Sequence, residues 1–448
     1  MIFRGAVGPT FLLKCGLNLP ISVMSSIPIL RWSEEWRRPG VLRADLMAGL
    51  TGAIVVLPQG FAFAILAGLP PYFGLYTAMV PCVIAAVFGS SRVMVTGPAN
   101  AISLTTMALI APLAVPESSH YISLVLTLSF LVGLIQIAFG FGRVGKWVER
   151  VPHSVVVGFT AGAAVLIVNS QLGTVFGVEI TRGLSLIDSL SLLSGFLSAD
   201  GFKPYSILLV SMTLLMMRVW KPFSRWIPSM LAAVILGSLA AYLMERFWIG
   251  ETFFPRVSGI PGVFPPLTLP DLSLATIQQL VGPTLIMVLL ASTEAMAIGR
   301  AMALKKKDQF NADQEFVGQG LANVAGAFFS AYPSSGSFNR SGVNLAAGAQ
   351  TPLAALSTAG FLVVILLFAA PLIRWLPYEV IAALLVAVAW GLIDRRQILH
   401  EWRAGPREAI PMLVTGLGTV FISLSWAIIG GICAALICAR VYPNRSVD

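Results

Sequence analysis

Ser335-Gly336-Ser337-Phe338-Asn339-Arg340-Ser341 breaks into an apolar stretch of the second half of the chain. A counterpart, Thr96-Gly97-Pro98-Ala99-Asn100-Ala101, stands in the first half. Each stretch has a short extended lead-in, Arg92 to Val95 and Ala331 to Ser334, then Gly and small polar residues, then a helix too short and too polar to cross a bilayer. Pro98 suits a first helical turn, where its missing N–H costs nothing. Short Gly/Pro-interrupted segments at matching positions of two halves mark the binding site of a transporter built from inverted repeats.

The surroundings require a membrane. Of 448 residues, 57% are hydrophobic and 11% charged, against roughly 25% charged in a soluble domain. Apolar segments fall at 45–67, 71–88, 97–114, 121–140, 153–173, 204–220, 228–245, 276–302, 313–330, 338–350, 353–374, 378–393, 409–423 and 425–440. Basic residues recur in alternate loops: Arg37, Arg38 and Arg43; Arg143, Lys146 and Arg150; Arg218, Lys221 and Arg225; Arg300 and Lys305 to Lys307; Arg395, Arg396, Arg403 and Arg407; Arg440 and Arg445. The intervening loops around 115–120, 174–203 and 331–336 are poor in Lys and Arg. This is the positive-inside pattern, and it puts both termini in the cytoplasm of a multi-pass protein of the cell membrane.

The expected fold is an all-α membrane protein of about 14 transmembrane segments in a 7+7 inverted repeat. Segments 3 and 10 are half-helices. Residues 1–40 form a cytoplasmic N-terminal segment, 41–245 the first repeat, 246–275 an external linker, 276–441 the second repeat and 442–448 a short tail. The linker carries Gly259, Pro261, Gly262, Pro265, Pro266 and Pro270. The first 26 residues read as a poorly ordered leader or an upstream start before Met24, with a cleaved signal peptide as a third alternative.

Two inverted half-helices point their N-termini at one another. Each brings unpaired N–H groups and about half a positive charge, which makes an anion site before any side chain is counted. Arg340 adds a full cation in the first turn of the second half-helix, at the disfavoured end of its dipole. An isolated Arg at mid-bilayer costs about 2.5–3.5 kcal/mol on insertion scales, which an anion, or an acid such as Glu294, would offset. Glu294 lies in Leu289-Leu290-Ala291-Ser292-Thr293-Glu294-Ala295-Met296-Ala297. It reads as a proton carrier, a cation ligand or an internal counter-ion. Gln59, in Leu57-Pro58-Gln59-Gly60, offers an amide to a bound oxyanion from the matching place of the first half. Phe63, one turn later, is a cavity wall or ordinary core. Asn100 stands where Arg340 stands in the second half.

Other chemistries are thinly represented. Cys15, Cys82, Cys433 and Cys438 and the three histidines are scattered, with no ligand spacing for a metal or cofactor. Lys/Arg excess gives a net charge of +9, but it sits in short loops and not in a nucleic-acid-binding patch. No phosphate-binding loop of the nucleotide-hydrolase type occurs. The sequence describes a transporter, not an enzyme.

At these residues the chain resembles the SulP (sulfate permease) family, over roughly 40 to 445. The resemblance rests on Asp45-Leu46-Met47-Ala48-Gly49-Leu50-Thr51, Pro58-Gln59-Gly60, Ala67-Gly68-Leu69-Pro70-Pro71-Tyr72-Phe73-Gly74-Leu75-Tyr76, Phe88-Gly89-Ser90-Ser91-Arg92 and Thr96-Gly97-Pro98. Glu315-Phe316-Val317-Gly318-Gln319-Gly320-Leu321-Ala322-Asn323 and Asn339-Arg340-Ser341 carry it in the second half. It implies a core domain (segments 1–4 and 8–11) moving against a gate domain (5–7 and 12–14) in an elevator-like cycle. It also implies a homodimer and a substrate among sulfate, bicarbonate, chloride and dicarboxylates. The implied anion site is Gln59, Phe63, Ala99, Asn339, Arg340 and Ser341. Family members usually continue into a cytoplasmic STAS domain. This sequence stops at Asp448, so the expectation is a membrane domain alone, with a separate STAS-type regulator or a shortened chain as alternatives. Sodium-driven bicarbonate members have Asp in place of Glu294 and Thr one turn later, where Ile298 stands here. That difference favours proton symport or anion exchange, with sulfate as the leading substrate.

Overall fold

The structure is a computed structural model that describes residues 28–145, 153–180, 184–198, 203–223, 228–249, 252–257, 259–422 and 424–442. The leader at 1–26, the loop cations Lys146, Arg150 and Arg225, most of the tail and part of the linker lie outside the described residues.

The first half contains α1 (Val41–Leu66), α2 (Tyr72–Phe88), β1 (Thr96–Gly97), α3 (Asn100–Ile110), α4 (Ser119–Phe141), α5 (His153–Phe176), α6 (Leu186–Ser198), α7 (Pro204–Trp220) and α8 (Ser229–Met244). The second contains α9 (Leu274–Lys306), α10 (Ala312–Phe328), β2 (Ser335–Gly336), α11 (Phe338–Ala346), α12 (Leu353–Ile373), α13 (Tyr378–Leu392), α14 (Arg395–Arg403), α15 (Pro406–Phe421) and α16 (Leu424–Val441). Among the described residues, α1, α4, α5, α9, α12 and α8 with its π-helical extension to Ile249 are long and apolar enough to cross a membrane. At about 1.5 Å per residue, the 33 residues of α9 exceed the roughly 30 Å hydrocarbon layer.

Helix order follows the expected segments, with two additions. α6 and α14 lie in stretches read as loops. Ser185 starts α6 by accepting the Asp188 amide, and Asp394 caps α14 by accepting the amides of Arg396 and Gln397 at 2.9 and 3.1 Å. These are local N-cap signals on helices of 13 and 9 residues. Both half-helices are shorter than expected. α3 ends at Ile110 and α11 at Ala346. Pro98 precedes the helix, which is capped by Ala99 in extended conformation.

The bundle holds together through close backbone approach. A Cβ on Gly74 of α2 would lie 1.8 Å from the carbonyl oxygen of Gly60 in α1. On α4 and α10, Gly133 and Gly320 each face the other's carbonyl, with 2.6 Å to a built Cβ. Without a hydrophobic force between helices in lipid, such small-residue contacts supply the packing. One set of contacts joins α1 to α12 and α10 to both α2 and α4. A second set joins α5 to α13 and α15, α7 to α8 and α13, and α15 to α16.

Candidate anion site

β1 and β2 pair antiparallel, with Thr96 opposite Gly336 and Gly97 opposite Ser335. This two-residue ladder joins stretches about half the chain apart. It sets the start of α3 beside the start of α11. Its ends are fastened by side chains. The Val95 amide donates to Ser341 Oγ at 3.0 Å, and the Ser337 amide donates to the Val95 carbonyl at 3.1 Å. Asn344 Nδ2 donates to the Val93 carbonyl at 3.0 Å. Irregular backbone is thereby satisfied within the protein, as membrane depth demands.

One helix carries both lead-ins. Glu315, Gln319 and Asn323 recur at four-residue spacing on α10 and so share a face. Glu315 accepts the amides of Ser90 and Ser91 at 2.8 and 3.0 Å. Gln319 Nε2 donates to Thr96 Oγ1 at 2.8 Å. Asn323 Oδ1 accepts the Ser334 amide at 2.7 Å, while its Nδ2 donates to the Ser334 carbonyl at 3.1 Å. These three positioning residues do not stand out in the sequence as part of the site. Their four-residue spacing in an apolar helix was the available signal. At the far end of the first lead-in, Arg92 pairs with Glu35 and with Asp308.

Arg340 is 2% exposed. Its Nε, Nη1 and Nη2 are buried without a hydrogen-bond partner. Nη1 lies against Gly97, 2.7 Å from where a Cβ would stand. Gly97 has φ +145°, a left-handed conformation that glycine alone adopts readily. Cys82, Tyr332 and Glu294 are within electrostatic reach of the guanidinium. Tyr332 is fixed by Ser103, at 2.8 Å between hydroxyls, and by donating its amide to Thr77 Oγ1 at 3.1 Å. Arg340 and Glu294 are not hydrogen-bonded to each other, and Glu294 Oε2 is likewise buried and unpartnered. A permanent Arg340–Glu294 pair is therefore not what the structure contains.

The predicted residues divide into groups. Ala99, Arg340 and Ser341 are buried at the β1–β2 junction. Asn100 is half-buried and Asn339 exposed at the first turns of the two half-helices. Gln59 and Phe63 are buried on α1, which packs against α3. Gln59 Nε2 meets Met230 Sδ of α8 at 3.5 Å, and its Oε1 is unpartnered. Glu294 lines a small cavity of about 60 Å³ with Ala101, Phe159, Thr160, Leu290 and Phe338. Phe338 and the α5 wall were not foreseen from sequence. A larger cavity of about 610 Å³, lined by Glu117, Lys203 and Glu379 among others, holds none of the predicted residues.

Such an arrangement can do one thing well. At the start of α11 the Ser337 hydroxyl accepts the Arg340 amide at 3.5 Å, and two helix N-termini with an unpartnered guanidinium beside them favour a small anion. No group of three or more His, Cys, Asp or Glu suited to a metal occurs among the described residues.

Residues 42–415 match the model of the sulfate permease family. Sulfate transporter 4.1, chloroplastic, of Arabidopsis thaliana is 30% identical over 418 residues, covering 90% of this chain and 59% of that protein. The chain thus spans about three-fifths of the length of the curated plant relatives it matches. Among solved structures, the transmembrane domain of the cyanobacterium bicarbonate transporter BicA superposes with a TM-score of 0.77 at 26% identity, covering 90% of this chain and 98% of that one. The murine anion transporter Slc26a9 in the inward-facing state shares the fold, with a TM-score of 0.83 at 20% identity over 98% of this chain and 76% of that one. The chain is a multi-pass, mostly helical membrane protein and belongs to the sulfate permease family.

Proposed function

We propose that the protein is a secondary active transporter of small inorganic anions, with sulfate as its principal substrate. The observation that carries this reading is the buried Arg340 guanidinium, unpartnered at all three nitrogens beside the joined starts of α3 and α11. The anion is held by the first-turn amides of both half-helices and by Arg340. Ala99, Asn100, Asn339 and Ser341 shape the first turns, and Gln59 and Phe63 close the site from α1. A dianion suits two converging dipoles and a guanidinium, whose fork matches an oxyanion. Names of the plant relatives, among them sulfate transporter 4.1, chloroplastic, and sulfate transporter 2.1, support the choice of anion.

Glu294 serves as the coupling group. It stands on α9 across the cavity from Phe338 and within reach of the Arg340 charge. Protonated, it leaves Arg340 to the anion; ionised, it compensates Arg340 after the anion departs. This cycle gives proton symport, and with Glu294 always ionised the same site gives anion exchange.

For the architecture we infer fourteen segments in a 7+7 inverted repeat, 41–245 and 276–441, joined by the external linker 246–275. The two sets of packing contacts suggest the moving parts. α1–α4 with α9–α12 form the core that carries the site. α5, α7, α8, α13, α15 and α16 form the gate, through which two copies associate. The core slides against the gate in an elevator cycle. Both termini face the cytoplasm at the cell membrane.

Bicarbonate is the second reading, favoured by the likeness to BicA at 26% identity. Uptake of radiolabelled sulfate, bicarbonate and fumarate into proteoliposomes, with and without proton and sodium gradients, tests both. Saturable sulfate uptake raised by an inward proton gradient supports the first. Bicarbonate uptake with no sulfate competition replaces it by the second. Absence of uptake of any of the three sinks the proposal.

A further inference from the structure

α14 connects α13 to α15, two segments of the proposed architecture, and on that reading it lies at the bilayer surface. Its sequence is Arg395-Arg396-Gln397-Ile398-Leu399-His400-Glu401-Trp402-Arg403. At about 100° per residue, Trp402, Arg395, Leu399, Arg403 and Arg396 fall within one arc of about 120°. All five are exposed, Leu399 by 46% and Trp402 by 55%. Glu401 points to the opposite side, where it is 6% exposed and bonded to His153 Nδ1 of α5 at 3.0 Å.

The charges of this connection are sorted by side. Every acid is engaged inward or along the helix. Asp394 caps α14, Glu401 binds His153, and Glu408 accepts the Ser154 hydroxyl at 2.8 Å. The exposed arc is left with three arginines, one tryptophan and one leucine. Beside it, Trp390 at the end of α13 is 69% exposed, and the Arg395 guanidinium lies 5.4 Å from its ring centroid. Exposed tryptophans at a helix end mark the headgroup level. Arginine at that level carries its stem in the apolar zone and its head among phosphates.

We propose that this face of α14 docks on anionic phospholipid headgroups. Trp402 and Leu399 enter the boundary between headgroups and acyl chains, and Arg395, Arg396 and Arg403 bind lipid phosphates. The partner is an anionic lipid and not a soluble acidic protein because the cations alternate with large apolar side chains on one arc. That is the pattern of an interfacial helix. Since the Glu401–His153 contact ties α14 to α5, and α5 lines the Glu294 cavity through Phe159 and Thr160, lipid bound here holds a helix that walls the candidate site.

The test uses the full chain. Protein is extracted from vesicles of equal phosphatidylglycerol and phosphatidylcholine, and the retained lipids are counted by native mass spectrometry. Wild type is expected to enrich phosphatidylglycerol. Each Arg→Gln change among Arg395, Arg396 and Arg403 is expected to lower that enrichment about fivefold, to near parity in the triple variant. The triple Arg→Lys variant, which keeps the charges, is expected to retain most of it. A second readout needs no charge variant. Brominated-chain lipid should quench wild-type fluorescence more than that of Trp402→Phe. Equal retention of both lipids by wild type, or enrichment unchanged in the glutamine variant, overturns the proposal. So does a Trp402 signal quenched by aqueous acrylamide and not by brominated lipid, which would turn this face to water and to a soluble partner.

Discussion

Val95 donates its amide hydrogen to the Ser341 hydroxyl at 3.0 Å, closing the end of the ladder that joins the two half-helices. Ser341→Ala strands a buried N–H, at a cost of about 1–3 kcal/mol. The variant is expected to unfold at a lower temperature in detergent and to bind anion more weakly, because the start of α11 loses its register against β1. A Ser341→Ala protein with wild-type melting and wild-type sulfate KM would contradict this.

Gly74→Ala is expected to be worse. Its Cβ would lie 1.8 Å from the Gly60 carbonyl oxygen, so α1 and α2 must part beside Gln59. Overpacking costs about 1–3 kcal/mol and occasionally more. Size-exclusion profiles of Gly74→Ala and Gly195→Ala provide the comparison, since Gly195 has open space around it. Aggregation of the first and not the second is the expected result.

Much of this was readable in advance because polar residues and glycine inside an apolar run carry information. Ser335 to Ser341 and Thr96 to Ala101 announced the half-helices, and Arg340 announced the charge. The role of Pro98 was not readable. Pairing of Thr96 with Gly336 keeps the chain extended through Ala99, and no local pattern reveals a partner so distant. Glu315, Gln319 and Asn323 were legible as a resemblance but not as a scaffold, for the same reason. α14 escaped because nine residues with so many charges read as a basic loop. Its Asp394 cap and its apolar Ile398, Leu399 and Trp402 were the overlooked signals.

Acid should selectively weaken the start of α9. Asp271 lies outside the spans, and the Thr276 hydroxyl, then the Ser273 amide, hold its carboxyl below the usual carboxylate range. A lowered folded value contributes stability above the ordinary pKa of about 3.9, lost as pH falls through the lowered value. Wild type should therefore melt above Asp271→Asn between pH 5 and 7, in the vicinity of neutrality where the carboxylate is charged, with the gap closing below about pH 4. Melting curves across that range decide it; a gap that widens on acidification has the wrong sign.

Glu294→Gln should uncouple transport without abolishing binding. The variant keeps the shape of the cavity wall and removes the titrating group. Sulfate uptake is expected to lose its stimulation by an inward proton gradient while sulfate still protects the protein against thermal unfolding. Gradient-stimulated uptake at the wild-type level would remove Glu294 from the coupling role.

The anion site depends on Arg340 above all, and radiolabelled sulfate uptake by Arg340→Ala in proteoliposomes tests it most directly. Arg340→Ala is expected to stay monodisperse, to melt no lower than wild type, because the guanidinium has no hydrogen-bond partner in the fold to lose, and to lose saturable uptake. Wild-type uptake by a well-folded Arg340→Ala protein would contradict it.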